Sequence, residues 1–280
     1  MKVLVVGANG YIGSHVVRFL KNMGQEVSCV DFDDSYLPED VPLYKENIFV
    51  DDEDIYEKLG SPDVLIHLAW RNGFVHNSDS HMADLSGHFV FLKNMLKGGL
   101  KYLSVMGSMH EIGYYEGRID ENTPANPTSQ YAIAKNALRL AITDLISREY
   151  PQVAFHWLRG FYIYGDDVRT NSVFGKILRA AQEGKKTFAL NSGKNKYDFI
   201  HIDELAKQIS LASVQKEING IINCCSGKPV ALGEMIETFV ANNELDISLE
   251  YGKYPDRPYD SPVIYGDNKK ITAIIDNFEN

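Results

Sequence analysis

The chain has 280 residues, of which 44% are hydrophobic and 24% are charged, and its formal net charge at pH 7 is −10. This composition is ordinary for a soluble globular protein, and the acidic balance argues against a nucleic-acid partner, which would require a basic surface. Since no apolar run approaches the roughly 18 residues of a membrane span, we expect no association with a membrane.

The targeting and redox signals of the sequence predict a cytoplasmic protein. Its start, MKVLVVGANG, reaches glycine and asparagine before an apolar core long enough for a signal peptide has formed. Cys29 lies in an apolar run, and the other two cysteines, Cys224 and Cys225, are sequence neighbours. That pattern is typical of reduced thiols rather than of a disulfide framework.

Short β-branched or apolar runs alternate along the chain with longer stretches of helical periodicity. The predicted strands are KVLVVG, EVSCVDF, VLIHLA, KYLSVMGS, VAFHWLRGF and GIINCCSG, and two of the predicted helices are IGSHVVRFLKNMG and YAIAKNALRLAITDLISREY. An alternation of strand and helix predicts parallel pairing through right-handed crossovers, with helices on both faces of the sheet. The predicted fold class is therefore α/β, with a doubly wound parallel sheet.

Three glycines, Gly7, Gly10 and Gly13, follow the first predicted strand and open the first predicted helix. A glycine-rich turn at this place lets the backbone approach a diphosphate, and the helix N-terminus presents free N–H groups to it. The spacing GxxGxxG meets the dinucleotide fingerprint only loosely, and a tight turn without a ligand is the alternative. We interpret the turn as part of a dinucleotide site of the Rossmann type.

The regular alternation loosens after about residue 165, where polar loops and shorter helices follow. We predict that residues 1–165 form the dinucleotide-binding domain and carry the catalytic residues, and that a later segment, about 195–225, returns to this domain. Residues 166–280 are predicted to form mainly a smaller C-terminal lobe that binds the substrate.

Asp31 ends the second predicted strand, where an acidic side chain accepts the ribose hydroxyls of NAD. Asp33 and Asp34 add negative charge, and neither lysine nor arginine follows before Lys45. A 2′-phosphate would therefore meet repulsion without a cationic partner, which favours NAD(H) over NADP(H). The alternative is that these aspartates only cap a loop.

Tyr131 and Lys135 lie four residues apart in SQYAIAK, on one face of a predicted helix. A phenol that exchanges a proton near neutral pH needs a lowered pKa, and a neighbouring ammonium lowers it. Ser108 follows a predicted strand, at the edge where parallel sheets place their sites, and its hydroxyl can bind the same substrate oxygen. The order of glycine turn, acid, serine and helix predicts that these three residues form a catalytic set.

Seven segments together resemble the extended short-chain dehydrogenase/reductases, the group of NAD-dependent nucleotide-sugar epimerases, dehydratases and 4-ketoreductases: VGANGYIGSH, VLIHLA, GSMHEIG, NPTSQYAIAK, LRGFYIYG, YDFIHIDELA and INCCSGKPV. The resemblance implies that Tyr131 is the acid/base, that Lys135 lowers its pKa and holds the nicotinamide ribose, and that Ser108 orients the substrate. It also implies cofactor contacts beyond the glycines and Asp31, from Asn9, Tyr11, Ile12, Asn47, Ile48, Leu68 and Ala69.

The chain departs from the pattern of this group in its expected substrate pocket. Met109 and His110 stand where members that eliminate water carry Asp-Glu, so dehydration is disfavoured. Tyr162 stands where epimerases often carry an asparagine, and Tyr197 replaces an arginine. We expect a nucleoside-diphosphate sugar as substrate, bound by Ser108, His110, Tyr162 and Arg257, the last of which matches a phosphate-binding arginine of the group.

Two further expectations concern metals and partners. The stretch with His76, Asp79, His81, Asp84 and His88 fits no recognised ligand spacing, so we predict no metal site. The aromatic residues Trp70, Tyr114 and Tyr115 are expected to line the cleft or the core. The resemblance implies a homodimer built through two helices, expected at 87–98 and 130–148.

The function that fits best is an NAD(H)-dependent reductase of a nucleoside-diphosphate 4-keto-6-deoxy sugar, such as dTDP-4-dehydro-6-deoxyglucose, with hydride transfer at carbon 4. The alternative is an NAD-dependent 4-epimerase of the UDP-hexose type, which would show no net redox change. A third possibility is a non-catalytic sensor of NAD(H), which would have no use for the set of Ser108, Tyr131 and Lys135.

Overall fold

The computed structural model describes residues 1–256 and 260–279 of the chain. Its strands, in chain order, are β1 (Lys2–Val6), β2 (Glu26–Val30), β3 (Leu43–Tyr44), β4 (Val64–His67), β5 (Tyr102–Ser108), β6 (Gly117–Ile119), β7 (Ala154–Gly160), β8 (Tyr162–Tyr164), β9 (Thr187–Ala189), β10 (Lys196–His201), β11 (Gly220–Cys224), β12 (Pro229–Ala231), β13 (Ser248–Glu250) and β14 (Val263–Gly266).

The α-helices lie between these strands and after the last of them. In chain order they are α1 (Tyr11–Asn22), α2 (Ile55–Lys58), α3 (Ser80–Ala83), α4 (Leu85–Lys97), α5 (Gln130–Glu149), α6 (Val173–Gln182), α7 (Ile202–Ser213), α8 (Leu232–Asn242) and α9 (Lys269–Glu279). A 3-10 turn covers Met109–Ile112. Among the described residues, no helix combines the length and the apolar character needed to cross a bilayer.

The main sheet contains seven strands in the order β11-β7-β5-β4-β1-β2-β3, and all their pairings are parallel. Along β1, side chains alternate between the two faces: Val3 and Val5 pack in one core cluster with residues of α1, α7 and α9. Leu4 and Val6 pack in the other, with residues of α2, α4 and α5. The predicted α/β class with a doubly wound parallel sheet is confirmed.

A second, smaller sheet contains β12, β10, β14 and β6, with β8 paired to β10. Its core cluster includes residues of α6 and α8, such as Phe174 and Ile236. Of the segment expected to return to the first domain, α7 packs against α1 and β11 pairs with β7, whereas β10 belongs to the second sheet. However, β6 lies within the first 165 residues and pairs with β14 of the second sheet. The exact domain boundary therefore stays a prediction.

Candidate active site

The carboxyl ends of four neighbouring strands, β5, β4, β1 and β2, meet at one edge of the main sheet. The residues that follow these ends carry the predicted site, which comprises the glycine turn after β1, Asp31 after β2, Leu68 and Ala69 after β4, and Ser108 at the end of β5. Parallel sheets place their ligands at this edge because the loops there diverge and leave a crevice.

Two of the three glycines, Gly7 and Gly13, cannot carry a larger side chain without a clash with the backbone. Gly7 has φ +80°, and a Cβ there would lie 2.6 Å from the backbone nitrogen of Ala69. A Cβ on Gly13 would lie 2.7 Å from the carbonyl oxygen of Ala8 and closer still to that of Gly7. Gly10 caps α1 without a side-chain hydrogen bond, so no capping side chain occupies the N–H groups of the first turn, and an anion can bind them.

The carboxylate of Asp31 is fixed beside this turn. One of its oxygens accepts the backbone N–H of Asn9 and the other accepts that of Phe32, each at 2.8 Å. The Asn9 side chain in turn donates to Asp33 and accepts the backbone N–H of Tyr36. The loop after β2 is thereby tied to the glycine turn, and both Asp31 oxygens retain lone pairs for further donors.

Two cations that are distant in the sequence reach this loop. Arg18 of α1 donates to the carbonyl oxygen of Tyr36 at 3.1 Å. Arg169, in the loop after β8, lies with Cζ 3.8 Å from the centroid of the Tyr36 ring and donates to Ser14 of α1 at 3.3 Å. The sequence argument for NAD(H) considered only neighbours in the sequence; in the folded chain these two cations contact Tyr36 of the same loop, and Arg169 is itself paired with Asp167.

Ser108, Tyr131 and Lys135 lie near one another in the structure. The Ser108 hydroxyl lies close enough to the Tyr131 phenol to favour its ionised form, which lowers the pKa of Tyr131 by less than burial raises it, and Ser108 Oγ accepts the backbone N–H of His110 at 3.2 Å. Ser129 caps α5 by accepting the N–H of Ala132, which fixes the first turn that carries Tyr131. Lys135, one turn later, is buried.

The protonation of this pair differs from the sequence expectation. Burial raises the pKa of Tyr131 to about 12 and lowers the pKa of Lys135 to about 7. Lys135 Nζ lies 6.0 Å from the Tyr131 ring centroid, so loss of solvation outweighs the attraction between an ammonium and a phenolate. The lowered phenol pKa that the four-residue spacing predicts is therefore not seen in this structure.

Aromatic side chains surround the phenol. His76 stacks on the Tyr131 ring, with centroids 5.6 Å apart, and meets the edge of His110 at 4.8 Å. Next to His110 lies Tyr162, at 6.2 Å, and Tyr162 stacks on Tyr197 at 4.3 Å. Burial, with a smaller contribution from His76, lowers the pKa of His110 to about 4, so this imidazole is neutral at physiological pH. The pocket wall is thus aromatic at this point, with the Asp260 carboxylate near Tyr162.

The acidic residue of the 3-10 turn does not face the phenol. Both carboxylate oxygens of Glu111 accept the indole N–H of Trp157 at 3.0 Å, and one also accepts the backbone N–H of Ser108 at 2.7 Å. Glu111 is fully buried and lies 3.7 Å from the guanidinium of Arg159. Its role is therefore to hold the end of β5 and the turn that carries Ser108.

The structure gives less direct support for a cofactor or substrate role of the other predicted site residues. Leu68 and Ala69 line the base of the glycine turn, since the Leu68 N–H donates to the carbonyl of Val6. Asn47 bonds to Phe49 within its own loop and Ile48 is buried in the core, so their contact with a cofactor stays a prediction. Arg257 lies outside the described residues.

The histidines for which we predicted no metal role have other partners. His81 accepts the indole N–H of Trp70, and His67 and His88 are hydrogen-bonded to each other at 2.9 Å. Asp84 is paired with Arg71. Within residues 1–256 and 260–279, no group of three or more histidine, cysteine, aspartate and glutamate side chains is arranged to hold a metal ion.

Sequence comparison identifies the family. A model of the NAD dependent epimerase/dehydratase family matches residues 3–225. The chain belongs to the NAD-dependent epimerase/dehydratase family. Within it, the chain is 43% identical over 270 residues to a dTDP-6-deoxy-L-talose 4-dehydrogenase (NAD(+)) of Aggregatibacter actinomycetemcomitans, covering 95% of this chain and 99% of that protein.

Solved structures of the same fold include two 4-epimerases. The UDP-N-acetylglucosamine 4-epimerase of Methanobrevibacter ruminantium superimposes with a TM-score of 0.84 at 23% identity, covering 97% of this chain and 91% of the other. The UDP-glucose 4-epimerase of Thermus thermophilus, in complex with NAD, gives 0.80 at 22% identity, covering 98% and 92%. At such identities the likeness shows the fold alone.

These findings confirm the family resemblance, the predicted enzyme class and NAD as the cofactor. The site is also compatible with NAD on its own geometry, because no capping side chain occupies the N–H groups at the start of α1, where a diphosphate would bind. Within the described part of the chain, the Tyr11 hydroxyl and Arg169 Nη1 are buried without a hydrogen-bond partner, and both lie beside this turn. The protein is therefore an NAD-dependent enzyme of nucleotide-sugar metabolism.

Replacing Asp31 by asparagine is expected to lower kcat/KM for NADH by about tenfold, because hydrogen bonds to a charged acceptor are the stronger ones. The amide nitrogen of the new side chain would also face the N–H of Asn9 or Phe32. The loss with NADPH is expected to be smaller, since the negative charge opposes its 2′-phosphate. Initial rates with both cofactors test this, with Asp34→Asn as the exposed control. Equal losses with NADH and NADPH would contradict the assigned role.

Proposed function

We propose that the protein is an NAD(H)-dependent 4-ketoreductase of a nucleoside-diphosphate 4-keto-6-deoxy sugar, and that it catalyses the reverse 4-dehydrogenation as well. The observation that carries this proposal is the close approach of Ser108 to the Tyr131 phenol, with Lys135 buried one helical turn away. The 43% identity to a dTDP-6-deoxy-L-talose 4-dehydrogenase supports the same substrate class.

The chemistry follows from the positions of these side chains. NAD(H), when bound, exchanges a hydride with carbon 4 of the sugar. In ketone reduction, the Tyr131 phenol donates its proton to the oxygen on carbon 4, and in alcohol oxidation the phenolate takes that proton back. The Ser108 hydroxyl binds the same oxygen, and the Lys135 ammonium stabilises negative charge that develops on the phenol oxygen.

The turn after Ser108 supports redox chemistry rather than elimination of water. Dehydration across carbons 4 and 5 needs an acid/base pair in addition to the tyrosine, and Met109 and His110 stand at the two positions concerned. Met109 is buried in the core of the smaller lobe, and His110 is neutral at physiological pH because burial lowers its pKa. Glu111 points instead toward Trp157.

The aromatic wall supports a 6-deoxy sugar. In this proposal, a methyl group at carbon 6 lies against the ring faces of His110, Tyr162 and Tyr197 and needs no hydrogen-bond partner, whereas a hydroxyl there would have to pair with a tyrosine hydroxyl or an imidazole nitrogen. Largely aromatic pockets discriminate against an added hydroxyl by at most about a hundredfold. We therefore expect 6-deoxy substrates to be preferred, with hexoses retained as poor ones.

The deciding experiment follows absorbance at the reduced-nicotinamide band. With NAD+ and dTDP-6-deoxy-L-talose the band should appear, and with NADH and a dTDP-4-keto-6-deoxy sugar it should disappear. UDP-glucose, which carries a 6-hydroxyl, is the comparison substrate. Interconversion of UDP-glucose and UDP-galactose without a change in the band would instead establish the 4-epimerase alternative. Binding of NADH without turnover of any of these sugars would favour the sensor.

The proposal includes a homodimer formed through α4 and α5. These two helices pack against each other on one face of the main sheet. Ile133 and Leu140, seven residues apart on α5, are 41% and 54% exposed. Residues at this spacing lie on one side of a helix, so they form an apolar stripe that a second copy of the chain would cover.

A further inference from the structure

The ammonium of Lys135 lies against the indole ring of Trp70. Nζ is 3.9 Å from the ring centroid, and it donates one hydrogen bond, to the carbonyl oxygen of Met106 at 2.7 Å. The edge of the same indole meets the ring of Tyr131 at a centroid distance of 6.2 Å. Trp70 therefore touches both members of the proposed proton-transfer pair, although it follows β4 rather than lying on their helix.

The indole is held in place by two histidines. It stacks on His88 of α4 with a centroid distance of 4.5 Å and an interplanar angle of 6°. Its Nε1 donates to Nδ1 of His81 at 3.0 Å. Because an indole N–H only donates, His81 carries its proton on Nε2, which lies 2.9 Å from the carbonyl oxygen of Val75 and donates to it. The ring orientation is thus fixed independently of Lys135.

We propose that Trp70 is a positioning residue for Lys135, and that the face of its indole holds the ammonium at the reaction centre and favours its charged form. Tryptophan has the strongest cation–π interaction among the aromatic side chains, and the interaction strengthens when water is excluded. Lys135 is 3% exposed, so the indole face and the Met106 carbonyl replace much of the lost solvation. The proposal rests on the assigned role of the Tyr131 and Lys135 pair.

Four other ionisable groups face Lys135, and they do not replace the indole as a partner of its ammonium. These groups are Glu111 of the 3-10 turn, His67 of β4, His88 of α4 and Tyr131 of α5. Glu111 favours the ammonium but is shared with Trp157. Burial lowers the pKa of His67 well below its ordinary value and that of His88 to about 3, so both are neutral and do not repel the ammonium.

The test compares Trp70→Phe, which keeps an aromatic face, with Trp70→Leu, which does not. Ketone reduction uses the protonated phenol and the ammonium, so kcat should fall as the pH rises through the pKa of Lys135. Removing a group that stabilises the charged form lowers this pKa. We expect the pH at which kcat falls to half of its maximum to be about one unit lower in Trp70→Leu, and lower by less than half a unit in Trp70→Phe.

Phe91→Leu is the matched control, because it removes an aromatic ring of α4 from the same core cluster. Its pH profile is expected to coincide with that of the unmodified chain. If kcat falls at the same pH in Trp70→Leu as in the unmodified chain, or if both Trp70 variants shift equally, the proposal is overturned and Trp70 is a packing residue.

A second measurement does not depend on turnover. The chain has two tryptophans, and the fluorescence of Trp70 should change as the ammonium in contact with it loses its proton. We expect a pH-dependent step in the unmodified protein that is absent in Lys135→Met. If the fluorescence of both proteins shows the same pH-dependent step, the proposed contact between Trp70 and the Lys135 ammonium is contradicted. If no sugar is turned over, the proposed function fails while this titration still decides the inference.

Discussion

Replacing Tyr131 by phenylalanine is expected to lower kcat about a thousandfold in both directions of the proposed reaction. The substitution removes the group that exchanges a proton with the oxygen on carbon 4, and general acid–base catalysis contributes about 10²- to 10⁴-fold. The phenyl ring retains the stack on His76 and the edge contact with Trp70, so the pocket keeps its shape. Initial rates with NADH and the 4-keto sugar, together with the dissociation constant of NADH, measure the effect.

Tyr150→Phe provides the control, since Tyr150 caps the other end of α5 and packs partly buried on the core. Its kcat is expected to equal that of the unmodified protein. The affinity of Tyr131→Phe for NADH should change by less than threefold or so, because the phenol is assigned to proton transfer and not to the diphosphate. A Tyr131→Phe variant that keeps a third of the activity would exclude Tyr131 as the acid/base.

The sheet could be predicted from the sequence because its signals are local. Each strand of the main sheet except β3 is an apolar run bounded by turn residues, and the alternation of β1 side chains between two clusters follows from the period of two. The strand β3 was missed because it contains two residues, Leu43 and Tyr44, and forms through its pairing with β2. No periodicity can be read from so short a segment.

The core of the candidate site was also predictable, because each of its residues follows from a local rule. Asp31 and Ser108 lie at strand ends, and the spacing of four places Tyr131 and Lys135 on one helical face. Contacts between distant segments were not predictable. Arg169 donates to Ser14, which lies 155 positions away in the sequence, and no local sequence pattern predicts this contact.

The protonation states depend on burial, which the sequence does not display. Counting charges near Tyr131 predicts a lowered pKa, because Lys135 is close by. The folded chain removes water from both groups, and this loss raises the pKa of Tyr131 to about 12 and lowers that of Lys135 to about 7. The cation–π contact with Trp70 is likewise a property of packing, since Trp70 was expected only to line the cleft or the core.

Replacing Gly13 by alanine is expected to weaken NADH binding at least about tenfold and to destabilise the protein by about 1–3 kcal/mol. The added Cβ would lie 2.7 Å from the carbonyl oxygen of Ala8 and closer still to that of Gly7, and neither backbone group can rotate away. The first turn of α1 must therefore shift away from the turn after β1, which displaces the N–H groups that we assign to the diphosphate. Titration calorimetry with NADH and thermal unfolding without cofactor measure the two effects.

Gly10→Ala separates crowding from the loss of a glycine as such. A Cβ on Gly10 would lie 3.2 Å from the Gly7 carbonyl oxygen, a contact that a shift of a few tenths of an ångström relieves, and Gly10 has φ −66°, which alanine adopts without strain. The cofactor-free Gly10→Ala protein should therefore unfold near the temperature of the unmodified protein, whereas Gly13→Ala should unfold several degrees lower. Equal destabilisation by both substitutions would show that the close approach of α1 to the turn after β1 is not what requires glycine at position 13.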